Sequence, residues 1–322
     1  MRSTDRTVTR KAAKRTFPPQ HLNETAAVGP ASSWGQGVTN FGCVSSLARP
    51  AGDPAATTDL LRGTMKRTYF AATLVVAWSL TSALTVAADD ALSEIKKAGV
   101  IKIGTTGDYK PFSYKAADGT LTGADIAMAK DLAADLGVKA DFVTTTWKTM
   151  LDDFKAGKFD IALGGITVNA ARDEVGDFSV PNVTDGKRPI ARCEDKEKYT
   201  TLDAIDRPSV RVIVNPGGTN DKFAHEHFDE ASIQVFPDNK TIFDQIASGR
   251  ADVMVTDGVE VDLQSKLHAS VLCPVAVKEP FTHFQNAYLL REDPALKAAV
   301  DAFMRKQLES GGWKEKLDAA MQ

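Results

Sequence analysis

Cysteine, histidine and aromatic residues are scarce in this 322-residue chain, which has three Cys, five His and 7% Phe, Trp and Tyr. No Cys-x-x-Cys or His-x-x-x-His spacing occurs, so a structural zinc site has no support. His225 and His227 would point from diverging faces of a helix, as solvated surface rather than as ligands. Neither a metal nor a cofactor is expected. Positive charge is not in excess either, with 39 Lys and Arg against 42 Asp and Glu. No uninterrupted apolar run reaches the roughly 20 residues that a membrane span needs.

The nearest approach to such a run is Tyr69 to Val86, broken by Ser and Thr. Met65-Lys66-Arg67 precedes it and Val86-Ala87-Ala88 follows, the layout of a cleavable signal peptide over residues 65–88. The mature chain is then expected to begin near Asp89, in the periplasm and free of the membrane. Residues 1–64, rich in Arg, Ser, Pro, Gly and Ala, show no helical or strand period and read as a disordered leader or a mis-called upstream extension. Removing ten of the 39 basic and four of the 42 acidic residues leaves 29 against 38, a net charge near −9. Nucleic acid and anionic membrane surfaces are therefore excluded as expected partners. Cys193 and Cys273 are the two cysteines left, and in an oxidising compartment a disulfide between them is expected.

An acidic protein can still hold an anion if the site is locally built. Val212-Ile213-Val214-Asn215-Pro216-Gly217-Gly218-Thr219-Asn220 reads as a strand breaking into a Gly-Gly loop just before a helix. Free N–H groups at a helix N-terminus, glycines that permit close approach and Thr and Asn donors suit a carboxylate or phosphate. The plain alternative is a turn with Thr219 or Asn220 as an ordinary N-cap.

From Leu92 the chain alternates helix and strand. Helices are expected at Leu92 to Ala98, Asp125 to Leu136 with Gly137 as its stop, Thr149 to Ala156 and Thr241 to Ala247; strands at Val100 to Ile103, Ala140 to Val143, Ile161 to Leu163 and Val253 to Val255. Alternation implies an α/β fold with mostly parallel sheets. Thr241 to Asp257 also parallels Phe154 to Thr167 in order and residue type. Two similar α/β lobes with a ligand cleft between them follow, one of about 91–189 plus 281–322 and the other of about 190–280.

Several stretches resemble a known family. Gly104-Thr-Thr-Gly-Asp-Tyr-Lys-Pro-Phe-Ser-Tyr114, Phe178-Ser179-Val180-Pro181, Asp185-Gly186-Lys187, the Asn215 to Asn220 loop, Pro237-Asp238-Asn239 with Thr241-Ile242-Phe243, and Thr256-Asp257-Gly258-Val259-Glu260 are similar to periplasmic solute-binding proteins of family 3. Within them they most resemble the cyclohexadienyl dehydratases. One departure is Gly123-Ala124-Asp125-Ile126-Ala127, where amino-acid binders carry an aromatic at 124 and an acid at 127. That segment is expected to be scaffold, away from the site.

The resemblance implies a hydro-lyase that aromatises prephenate to phenylpyruvate or arogenate to phenylalanine, losing water and CO2. Its alternative is an amino-acid-binding subunit of a transporter. Loss of a ring hydroxyl needs a proton donor, and the resemblance puts Glu260 in that role beside Asn215 and Asn220. A raised pKa would keep Glu260 protonated, whereas a plain reading makes it a solvated acid at a helix start. Arg172 matches the arginine that forks onto a ligand carboxylate, with Thr167 near it; a surface arginine is the competing reading. Thr219, Lys187, Tyr109 and Trp147 complete the expected substrate-binding set. Asp257 matches the acid that holds an ammonium group in transport proteins, which would suit arogenate or an amino acid. Oligomeric state has no sequence signature here.

Overall fold

The protein is described by a computed structural model covering residues 90–322. The stretches 1–64 and 65–88 lie outside the described residues.

Asp90 starts the fold by accepting a hydrogen bond from the Ser93 N–H, which caps helix Ala91–Ala98, and Gly99 ends that helix in the left-handed region. Strand Val100–Thr105 then takes the second position in a first sheet. Lys139–Thr144 pairs parallel on one side of it, and Ile161–Ala162 pairs parallel on the other. Leu289–Leu290 inserts antiparallel between Ile161–Ala162 and Asp177–Phe178, completing five strands. Helix Ala124–Leu136 packs Ile126, Met128, Ala129 and Leu132 onto this sheet, with Leu296, Val300 and Phe303 of helix Pro294–Glu309 in the same core.

The second sheet repeats the arrangement. Arg211–Val214 pairs parallel with Ser232–Val235 and with Val253–Asp257, and Lys187–Arg192 runs antiparallel between Val253–Asp257 and Leu272–Pro274. In both sheets a helix and then a strand return the chain to the middle position, Met150–Lys155 to Ile161–Ala162 and Ile242–Ala247 to Val253–Asp257. The expectation of mostly parallel sheets is thus corrected, because each sheet is mixed, with two parallel and two antiparallel pairings. The antiparallel strands come from far along the chain and leave no βαβ alternation to read.

The chain passes between the sheets twice, through Val183–Asp185 and Phe284–Asn286, which pair antiparallel as a two-stranded ribbon. Asp185 fixes this crossing by accepting from the Gly186 and Val259 N–H groups. Cys193 and Cys273 form a disulfide with Cα atoms 4.7 Å apart, tying strand Leu272–Pro274 to the turn that follows its neighbour Lys187–Arg192.

Candidate active site

Open α/β sheets present their ligand sites beyond the carboxyl ends of their strands. Here the two carboxyl ends meet. Tyr109, just beyond Val100–Thr105, donates its hydroxyl to Asp257 Oδ2 at 2.5 Å, and Asp257 closes the strand Val253–Asp257 of the other sheet. Gly217 of the 215–220 loop lies so near Trp147-Lys148 that a Cβ there would sit 2.7 Å from the Lys148 Cα. Its φ of +79° adds a second reason for glycine. Between these contacts lies a cavity of about 20 Å³ lined by Tyr109, Trp147, Gly165, Thr167, Asn215, Gly218, Thr219, Asn220 and Asp257.

Seven of the ten residues expected from sequence therefore face the cavity. Thr219 and Asn220 stand in the first turn of helix Thr219–His227, after Gly218, rather than ahead of the helix as expected. Asn220 is buried, donating to Thr256 Oγ1 at 2.9 Å and to Asn215 Oδ1 at 3.4 Å. Trp147 is half-buried, edge-on to Tyr109, and donates its indole N–H to Asp108 Oδ1 at 3.1 Å.

The other three, Lys187, Arg172 and Glu260, stand behind the lining. Lys187 is 3% exposed, and its ammonium spends three hydrogen bonds inward, on Thr219 Oγ1 at 2.9 Å, Asn220 Oδ1, and Asp257 Oδ1 at 2.6 Å. With Tyr109 on Oδ2, both oxygens of Asp257 are engaged by the protein itself. Burial and the charges of Asp257 and Glu260 push the Tyr109 hydroxyl well above its usual pKa, so it is a firm donor. Arg172, in the turn Ala170–Asp173 capped by Asn169, is 5% exposed and donates to the Thr167 carbonyl at 2.5 Å. Burial lowers it to about 10, against the attraction of Asp257, and it keeps its charge at neutral pH. It is not the surface arginine of the competing reading.

Glu260 lies in the first turn of helix Gly258–Leu267 and is only 2% exposed, so it is not a solvated acid. It accepts from the Thr256 hydroxyl at 2.5 Å, and that hydroxyl in turn accepts from Asn220. Burial first, and then the charge of Asp257, lift its pKa to about 8 against the opposing pull of Thr256 and Lys187. At neutral pH this is a protonated carboxylic acid one hydroxyl removed from Asn220.

The sequence reading missed Thr256, Asp108 and Gly165, all of them inside or beside stretches it had singled out. Asp125 does not line the cavity but braces it: its carboxylate accepts from the Gly164 and Gly165 N–H groups at 3.0 and 2.9 Å and from Tyr288 and Asn182. Burial raises it to about 6. It holds the loop from which Gly165 lines the cavity, where a side chain would collide with the Tyr109 ring. Among the described residues no group of His, Cys, Asp and Glu is placed to hold a metal ion.

This two-sheet architecture with a cleft of convergent amide, hydroxyl and charged groups is that of a solute-binding protein. Residues 101–319 match the bacterial extracellular solute-binding proteins, family 3, and the chain belongs to that family. It is 44% identical over 239 residues to a cyclohexadienyl dehydratase of Pseudomonas aeruginosa, covering 74% of this chain and 89% of that one. Over 219 residues it is 26% identical to the L-cystine-binding protein TcyJ of Escherichia coli, covering 67% and 80%. Among solved structures it is similar to an ancestral amino acid-binding protein described as a precursor of cyclohexadienyl dehydratase, with a TM-score of 0.66, 35% identity and coverage of 72% and 99%.

Proposed function

We propose that this chain is a dehydratase acting on prephenate, arogenate or both, in the periplasm, after residues 65–88 have directed its export. The observation that carries the reading is Glu260, a buried carboxyl held protonated at neutral pH beside a cleft. Loss of a ring hydroxyl requires such a proton donor, and its place beside the cleft supports an enzyme. The bond from the ring to its carboxylate breaks and releases CO2. Its electron pair completes the aromatic ring, the 4-hydroxyl leaves, and Glu260 supplies the proton that makes it water. Thr256 donates to Oε2, so the transferable proton sits on Oε1. Glu260 is reprotonated from solvent after each turnover.

Arg172 supplies the uncompensated positive charge, while the charge of Lys187 is balanced by Asp257. Asn215, Thr219 and the first-turn N–H groups of helix Thr219–His227 supply neutral donors for an oxyanion. Asp257, engaged on both oxygens, is poorly disposed to receive an ammonium, which favours the keto acid prephenate over arogenate. The same fact weighs against an amino-acid transport subunit. The two lobes divide at about residue 186 and again at about 281, because strand Lys187–Arg192 pairs wholly within the second sheet. The deciding experiment incubates purified protein lacking residues 1–88 with prephenate and follows phenylpyruvate by absorbance. Tight binding of a free amino acid with no phenylpyruvate formed would replace this reading with the transport one.

A further inference from the structure

The segment Pro237-Asp238-Asn239-Lys240 has no part in the chemistry above, yet it reaches across the cleft. It links Ser232–Val235, the edge strand of the second sheet, to helix Ile242–Ala247. Asp238 shapes it, accepting from the Lys240 N–H at 3.0 Å and from the Thr241 hydroxyl at 2.8 Å. Two side chains then grip the hairpin Asp108–Lys115, which belongs to the other half. Asn239 donates its amide N–H to the Asp108 carbonyl at 3.1 Å, and Lys240 donates to the Lys115 carbonyl at 2.7 Å. The Lys240 ammonium also stands 5.2 Å from the Tyr114 ring centroid, a ring that Lys110 approaches at 4.4 Å. The gripped hairpin carries Asp108, which orients Trp147, and Tyr109, which donates to Asp257.

We infer that Asn239 and Lys240 form a clasp that fastens the second half onto this hairpin when the cleft shuts and sets the balance between shut and open forms. Opening is required by size. A cavity of about 20 Å³ has room for about one or two water molecules, not for a ring bearing two carboxylates. The clasp is also built to release. Lys240 is exposed, so its contacts are screened by solvent. Asn239 is 6% exposed with its Oδ1 buried and unpartnered, a cost that water would relieve on opening. A contact set that is weak and partly unsatisfied can bias an equilibrium between two states without locking it.

The inference stands whether the ligand is dehydrated or only bound. Its test is single-molecule fluorescence transfer on the ligand-free protein, with donor and acceptor on cysteines introduced at the exposed positions Ala134 and Glu226, one in each half. Asn239→Ala combined with Lys240→Ala should lower the shut-to-open ratio about tenfold, the sum of two modest polar contacts. Lys240→Ala alone should give part of that shift, and Lys240→Arg should restore it, since a guanidinium reaches both the carbonyl and the ring. The melting temperature of Lys240→Ala should stay put. If Lys240→Ala and the double variant keep the wild-type transfer distribution, or if only the melting temperature moves, there is no clasp. Failure of the dehydratase reading would register elsewhere, as wild-type protein that leaves prephenate unchanged.

Discussion

Glu260 and Arg172 make separable contributions at the scale of single residues. Glu260→Gln keeps size and hydrogen-bonding reach but removes the transferable proton. General acid assistance is typically worth about 10²–10⁴-fold, so kcat should fall by that order while prephenate affinity barely changes. Arg172→Ala should weaken binding and rate together, because a carboxylate clamp acts on both. In wild type, kcat should decline as pH rises through about 8, where Glu260 loses its proton. Stability carries the same mark. The carboxyl titrates at 4.5 in its ordinary state and about 8 when folded, so the fold binds the proton more tightly. That contribution is fully present below 4.5 and lost as pH rises through 8; Glu260→Gln lacks it, so it should appear as the pH-dependent part of the stability difference between wild type and variant.

Lys187 yields a different prediction. Its ammonium and the Asp257 carboxylate are both about 4% exposed, and removing one partner of a buried pair costs about 3–5 kcal/mol. Lys187→Met should show that loss in denaturant unfolding. It should also free one Asp257 oxygen for an ammonium, raising the arogenate-to-prephenate ratio of kcat/KM. An unchanged ratio would mean that Asp257 never faces the substrate's amino carbon. None of this pairing was legible in the sequence. Asp185-Gly186-Lys187 and Thr256-Asp257 were singled out, but that one quenches the other depends on the antiparallel register Asp257↔Lys187, set by residues 70 apart.

At the scale of elements, what the sequence disclosed was local. The helices at 124–136 and 150–155 and the strand at 100–105 follow from apolar spacing and glycine stops, and the structure shifts their ends by only a residue or two. Leu289–Leu290 and Asp177–Phe178 were invisible, because two-residue strands have no period to detect. Ile161–Ala162 is legible as part of the apolar run Ile161 to Leu163 that follows a helix. The bracing of the site by Asp125 is equally hidden, since its bonds to Gly164 and Gly165 span about 40 residues. The Cys193–Cys273 bridge closes a loop of 80 residues within the second sheet. Its reduction should cost about 2–4 kcal/mol. Denaturant unfolding with and without reductant measures this, and equal midpoints would show that the register of Lys187–Arg192 and Leu272–Pro274 suffices alone.

For the molecule as a whole, the two halves share a largely polar seam and two short crossings, with buried apolar cores of their own and Val259 of the second packed against the core of the first. Residues of the first core reach back to Ala91 and Ile95 and forward to Trp313. The N-terminal helix is thereby built in. Ala91 N–H donates to Asp293 Oδ2 at 2.8 Å, the same Asp293 whose other oxygen caps helix Pro294–Glu309 through the Leu296 N–H. Asp90 caps its own helix through Ser93. One carboxylate thus joins the start of the fold to its last quarter, so the position at which the chain is cut has a sharp consequence. A protein beginning at Asp89 should match the full-length chain in melting temperature and in prephenate turnover. One beginning at Val100 exposes the apolar surface that Ile95 covers and leaves Asp293 without the Ala91 N–H. Losing a buried apolar side chain of that size costs about 1.5–3 kcal/mol, before the lost hydrogen bond is counted. Thermal melts of the three lengths check this. A clear drop on removing residues 1–88 would mean that the leader contributes to the folded protein and would weaken its reading as an export segment.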